Sequence, residues 1–443
     1  MSESLIDITS PAGPDSDRPA SRGLRDWPAN PDVIIVGAGA AGLSAARTLR
    51  KKGLSCLILE AAERVGGRAW TENRSFGAPV DHGCSWISGA DRNPFTKLAE
   101  DLGYTLVDHT HAGTDLFDLA GDPADDTAFQ AYDTAWEVIL RAIGKAGKKG
   151  RDVPASTLVP NMRYGASVQS WLGSMDYGVD LDQISPVDFW KTDSSQPSNF
   201  VREGLGTVVA SLATGLPIAL GTRVTSIDWS GQGVCVETSD GTVRAGACLI
   251  TVSTGVLNSG QIRFTPDLPD WKQQAVHDIP MGLLMKVPML FDGARLGLTE
   301  NNWVTYELPE DKAGEGCFFI AWPCGHDYMF GNIGGRFGWD LYAEGQDAVL
   351  DYAMHELVRL VGSDARKHFV KGFATDWADN PLTLGAYAAV RPGASHARKD
   401  LAKPLADRLF FAGEATHRRV PALVNGAYLS GKKAAKAMAK VLA

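Results

Sequence analysis

Apolar residues along this chain gather in short β-type runs separated by glycine turns and amphipathic stretches. In Asp32–Val36 four β-branched residues follow one another, and residues 43–50 then space Leu43, Ala46 and Leu49 at helical intervals. Gly37-Ala-Gly-Ala-Ala-Gly42 lies between them, so the predicted order is strand, glycine turn, helix. Residues 54–59 repeat the strand pattern and stop at Glu60. Towards the other end, residues 408–412 predict a buried strand, and an Ala- and Lys-rich stretch predicts a helix over 427–441. The run 280–292, PMGLLMKVPMLFD, predicts a buried or half-buried strand with one charge, Lys286, at its centre. Two readings are open. The ammonium snorkels out at a sheet edge, where Pro288 is tolerated, or it is buried for a chemical reason.

Composition narrows the class. A chain of 443 residues exceeds what one core usually organises, which predicts two domains or one large composite unit. A formal net charge of -9, without a basic run, argues against a nucleic-acid partner. The six cysteines stand singly, with no C-x-x-C pair and no histidine at ligand spacing. They predict reduced thiols in a cytoplasmic protein and no metal site. Residues 1–30 read as a mobile tail. The longest uncharged stretches, 206–222 and 245–262, are broken by Ser, Thr, Gly, Asn and Pro, so no membrane span is expected.

The glycine turn brings in chemistry. Gly37 permits a tight turn, Gly39 lets backbone N–H groups approach a pyrophosphate, with Ala41 beside it in the turn, and Gly42 allows helix and strand to pack closely. Glu60, at the end of the second strand, is placed to accept the ribose hydroxyls of an adenosine. A second glycine motif follows at once, Arg64-x-Gly66-Gly67-Arg68-x-x-Thr71, in which Arg68 is able to pair with phosphate.

With that second motif the chain resembles the flavin monoamine oxidase family, the FAD-dependent amine oxidases, and most closely their soluble, polyamine-oxidase-like branch. The likeness extends from Asp32 to the C-terminus. Val80–Gly89, containing Gly83, Cys84, Ser85 and Trp86, is similar to the segment that runs along the flavin ring. Val224 falls where a strand backbone meets adenine, and Gly413 and Glu414 where a carboxylate holds the ribityl–phosphate part of FAD. Leu423 and Val424 precede a helix whose N-terminus is expected to face the flavin pyrimidine. Trp377 opens a W-x-x-x-P-x-x-x-G-x-Y segment. There Ala386 replaces the cysteine of covalently flavinylated members, which implies non-covalent FAD, and Tyr387 matches one wall of the aromatic cage at the flavin front. Leu423 stands where the other wall is often aromatic, so half a cage is expected. The resemblance aligns Lys286 with a lysine that reaches flavin N5 through a bridging water.

What the resemblance implies is an α/β fold: a Rossmann-like FAD-binding domain (31–95, 198–284 and 372–443) interleaved with a mixed α+β substrate-binding domain (96–197 and 285–371). It implies oxidation of a small-molecule amine by hydride transfer to the flavin. The imine hydrolyses to an aldehyde or ketone, and dioxygen is reduced to hydrogen peroxide. A dehydrogenase passing electrons to another acceptor, or a non-enzymatic FAD-binding scaffold, are the alternatives. Polyamine, arylalkylamine and secondary or cyclic amine stay unranked as substrates, and a homodimer is compatible with the sequence.

Overall fold

A computed structural model describes residues 30–442; the expected tail therefore lies almost wholly outside the described residues. Five parallel strands form the first sheet, in the spatial order Leu409–Phe411, Ala247–Ile250, Val33–Val36, Cys56–Leu59 and Ile218–Ala219. Every residue of the Val33–Val36, Cys56–Leu59 and Ala247–Ile250 strands is buried, as expected for a parallel sheet covered on both faces. The helix Ala40–Lys51 follows the first strand and packs against the closing helix Val424–Val441. The two backbones meet at Gly431, where a Cβ would lie 2.0 Å from the Ala41 carbonyl oxygen. That closing helix begins three residues before the predicted start, at Val424, with Leu423 in extended geometry (φ -109°) as its N-cap.

A second large sheet has six strands, ordered Phe369–Gly372, Leu284–Phe291, Tyr328–Gly334, Phe318–Ile320, Trp303–Tyr306 and Thr114–Phe117. It is antiparallel except for its last pair. The strand Leu284–Phe291 has neighbours on both sides, which removes the edge reading of Lys286. Lys286 faces Asn332 across the ladder, its N–H donates to Thr375 Oγ1 and its C=O accepts from Thr375 N–H. Pro288 sits mid-strand opposite Phe330, and its carbonyl still accepts from Phe373 N–H. The apolar stretch Cys317–Trp322 is fully buried, so it is core.

Helices between residues 126 and 190 cover one side of the cavity described below. The 23-residue helix Asp126–Lys148 is capped by Asp125, whose carboxylate accepts the Ala128 N–H. The short helix Pro186–Trp190 is fastened to Ala397–Ala402 by a fully buried ion pair, Arg398 Nε to Asp188 Oδ2 at 2.9 Å. The same guanidinium donates to the carbonyls of Ala388 and Ala415. Among the described residues no helix is long and apolar enough to cross a membrane.

Candidate active site

Local backbone geometry explains the glycine turn. Gly37 has φ of 105°, which favours glycine, and a Cβ on Gly42 would lie 2.0 Å from the Gly37 carbonyl oxygen. The helix Ala40–Lys51 therefore starts hard against the first strand. Its N-cap is Gly39, with no side-chain cap and no acid in its first turn, so the leading N–H groups keep free hydrogen-bonding capacity for an anion. Gly39 bridges to Gly66, and Gly67 lies against the Gly39 Cα, which brings the second glycine motif alongside the first.

Glu60 is buried at the end of its strand. One carboxylate oxygen accepts the Ala38 N–H at 2.6 Å and the other the Ala62 N–H at 2.8 Å. Burial pushes its carboxyl up from the usual range, and the two N–H groups and Arg64 oppose that shift. Arg68 donates to Glu414 Oε1 at 2.9 Å and to the Ala386 carbonyl at 2.8 Å. Glu414 Oε2 in turn accepts the N–H of Ala422, a residue held at φ of 59°. The expected phosphate partner Arg68 thus already has a carboxylate partner within the chain. Gly83 is obligatory, since a Cβ there would lie 1.7 Å from the Arg68 carbonyl oxygen.

At the far end Lys286 Nζ donates to Ser85 Oγ and, at 3.2 Å, to the Asp81 carbonyl. It stands 4.7 Å from the Phe330 ring centroid and 5.5 Å from that of Trp86. Burial lowers its pKa to about 8 despite the nearby Asp81 carboxylate. The Tyr387 phenol donates to the Met175 carbonyl, and burial holds it well above the ordinary tyrosine range, so it is a wall and not an acid. Trp86 stacks on Trp303 and donates to His109 Nδ1, while Trp377 donates to the His82 carbonyl at 2.9 Å. Burial pushes the Cys84 thiol up to about 12, which keeps it neutral.

All of the sequence-predicted site residues line one continuous cavity of about 450 Å³, except Gly42, which lies behind the turn. Val224, Gly413, Leu423 and Val424 are among them. The closing helix starts at this cavity, again with no side-chain cap and no acid in its first turn. Two uncapped helix starts, two glycine motifs in contact and a buried ribose-type carboxylate fit an adenine dinucleotide with a flavin at its other end. Ala386 offers no thiol there.

Sequence reasoning missed Asp176 and Asn332, which also line the cavity. Asn332 was legible only as the ladder partner of Lys286, which requires the strand pairing. For Asp176 no motif or spacing gave a signal.

Comparison with known proteins agrees with this geometry. Residues 40–170 and 156–439 match the family described as flavin containing amine oxidoreductase. Polyamine oxidase 2 of Arabidopsis thaliana is 30% identical over 94% of this chain and 89% of its own length. Lysine-specific histone demethylase 2 of Homo sapiens is 29% identical over 93% of this chain, which spans 53% of that protein. The solved structure of putrescine oxidase, wild type bound to putrescine, superposes with a TM-score of 0.77 at 20% identity, covering 92% of this chain and 98% of that one.

Proposed function

The chain belongs to the flavin containing amine oxidoreductases, in their polyamine-oxidase-like branch, and from that premise we propose that it oxidises a small-molecule amine and passes the electrons to dioxygen, yielding hydrogen peroxide. Non-covalently bound FAD supplies the two-electron acceptor for the amine's α-C–H bond. Gly37, Gly39, Ala41, Arg68 and Glu414 hold its phosphate region in this reading, Glu60 its adenosine ribose, and Val224 its adenine. The two-unit division over 31–95, 198–284 and 372–443 against 96–197 and 285–371 is part of the same proposal.

The observation that carries it is the single cavity joining the dinucleotide cradle to Lys286 and Tyr387. Tyr387 presents a ring to the amine and is fixed by its bond to Met175. The apolar surroundings exclude water and disfavour a charged ammonium, which supports reaction of the neutral amine. Lys286, mostly protonated at neutral pH, offers positive charge where dioxygen takes up electrons and holds a water for imine hydrolysis.

Anaerobic mixing with spermidine, phenethylamine and N-methylbutylamine tests the reading. At least one should bleach the yellow protein, and admission of air should release peroxide equal to the amine consumed. Bleaching without peroxide assigns a dehydrogenase using another acceptor; no bleaching by any amine removes the oxidase reading.

Glu60→Gln leaves only one strong acceptor for the Ala38 and Ala62 N–H groups and the ribose together. Flavin affinity is expected to fall about tenfold, read as flavin retained per chain after gel filtration, with the fold kept by circular dichroism. Unchanged retention places Glu60 outside the adenosine contact.

A further inference from the structure

Among the described residues three acids line the cavity, and two of them are occupied: Glu60 by backbone N–H groups and Glu414 by Arg68 and Ala422. The third, Asp176, is different. Among the described residues nothing donates a hydrogen bond to its carboxylate, and the residue is exposed where it lines the cavity, between the buried Met175 and Tyr177.

The backbone explains its position. The helix Gly165–Ser170 runs into one wide π turn, Trp171–Met175, closed by the Asp176 N–H donating to the Trp171 carbonyl at 2.9 Å. The Met175 carbonyl is thereby released to receive the Tyr387 phenol, which sets Asp176 beside the tip of the cage residue. The titratable groups around the carboxylate are Tyr132 on the long helix, Tyr177 on its own segment and Tyr387 on the strand Tyr387–Ala388. All three are neutral phenols, and among the described residues no lysine, arginine or histidine is near enough to oppose its desolvation.

We propose that Asp176 receives the incoming substrate ammonium and takes its proton, so that the amine stands neutral in front of Tyr387. This rests on the amine-oxidase reading above. In the transfer one N–H bond breaks and one O–H bond forms on Asp176; no electrons move, and the proton returns to solvent when product leaves. An apolar cavity penalises both ions of an ammonium–carboxylate pair, which favours the neutral pair inside over the charged pair. Burial alone pushes the Asp176 carboxyl up to about 7, within reach of a proton that must be both accepted and released at neutral pH.

The test is the pH dependence of anaerobic bleaching by the same three amines, for the wild type, Asp176→Asn and Asp176→Glu. In the wild type the second-order bleaching rate should rise as pH increases through about 7. Asp176→Asn should retain its flavin yet bleach roughly a hundredfold more slowly at neutral pH. It should come back to within about threefold of the wild type near pH 9.5, where bulk water itself supplies free amine. Asp176→Glu should restore most of the neutral rate. A deficit equal at every pH, or none at all, overturns the inference while leaving the oxidase reading intact. A deficit confined to spermidine also overturns it, by showing a grip on a second, non-reacting ammonium. If no amine bleaches the wild type, the oxidase reading itself has failed.

Discussion

Lys286→Met is expected to keep the flavin and most of the anaerobic reduction rate while slowing reoxidation by dioxygen roughly a hundredfold. Methionine fills similar space between Met285 and Val287, both fully buried, so the strand has no reason to move. What disappears is the charge held by Ser85 and the Asp81 carbonyl over the Phe330 ring. In the wild type the same reoxidation should slow as pH rises past about 8, because the ammonium loses its proton there, and the Met variant should lack that limb. Stopped-flow mixing of amine-reduced protein with oxygenated buffer measures both effects. Unchanged reoxidation in the variant would leave Lys286 as packing for the sheet.

The largest loss of stability is expected from Asp188→Ala. Arg398 and Asp188 are both buried, and removing the carboxylate strands a guanidinium that water does not reach. Breaking such a pair from one side costs about 3–5 kcal/mol. Replacing both partners at once, as Asp188→Leu with Arg398→Met, should recover much of it, since neither leaves a buried charge. Thermal unfolding of the flavin-loaded protein compares the three forms, and a single variant as stable as the wild type would mean that water reaches Arg398 after all. The loss should also touch the site. Arg398 holds the carbonyls of Ala388, next to Tyr387, and of Ala415, next to Glu414.

Much of this was legible because the relevant signals are local. Gly37 and Gly42 announce a turn because the constraint on them is largely local, a positive φ at Gly37 and the Gly37 carbonyl against any Cβ on Gly42. The uniform apolar character of 33–36 and 56–59 likewise reports a strand covered on both faces. Whether Lys286 lay at an edge depended on Tyr328–Gly334 and Phe369–Gly372, distant segments that leave no trace in the run around the lysine. That Arg68 also pairs with a carboxylate was not legible, because Glu414 is 346 residues away. Asp176 was silent for a related reason. Its significance is a missing partner inside a cavity, and only the assembled walls make that visible.

The strand order of the parallel sheet carries a consequence for how this protein is made. Its central strand, Val33–Val36, is made before one of its neighbours, Ala247–Ile250, and the edge beyond that follows only at Leu409–Phe411. At ordinary synthesis rates that interval is on the order of tens of seconds. Over that time the first βα unit, with its glycine turn already encoded, has neither a complete sheet nor the Glu414 that holds Arg68. The cradle for the cofactor is therefore complete only once residues 409–414 have been made, since before then both the outer strand and the carboxylate that holds Arg68 are missing.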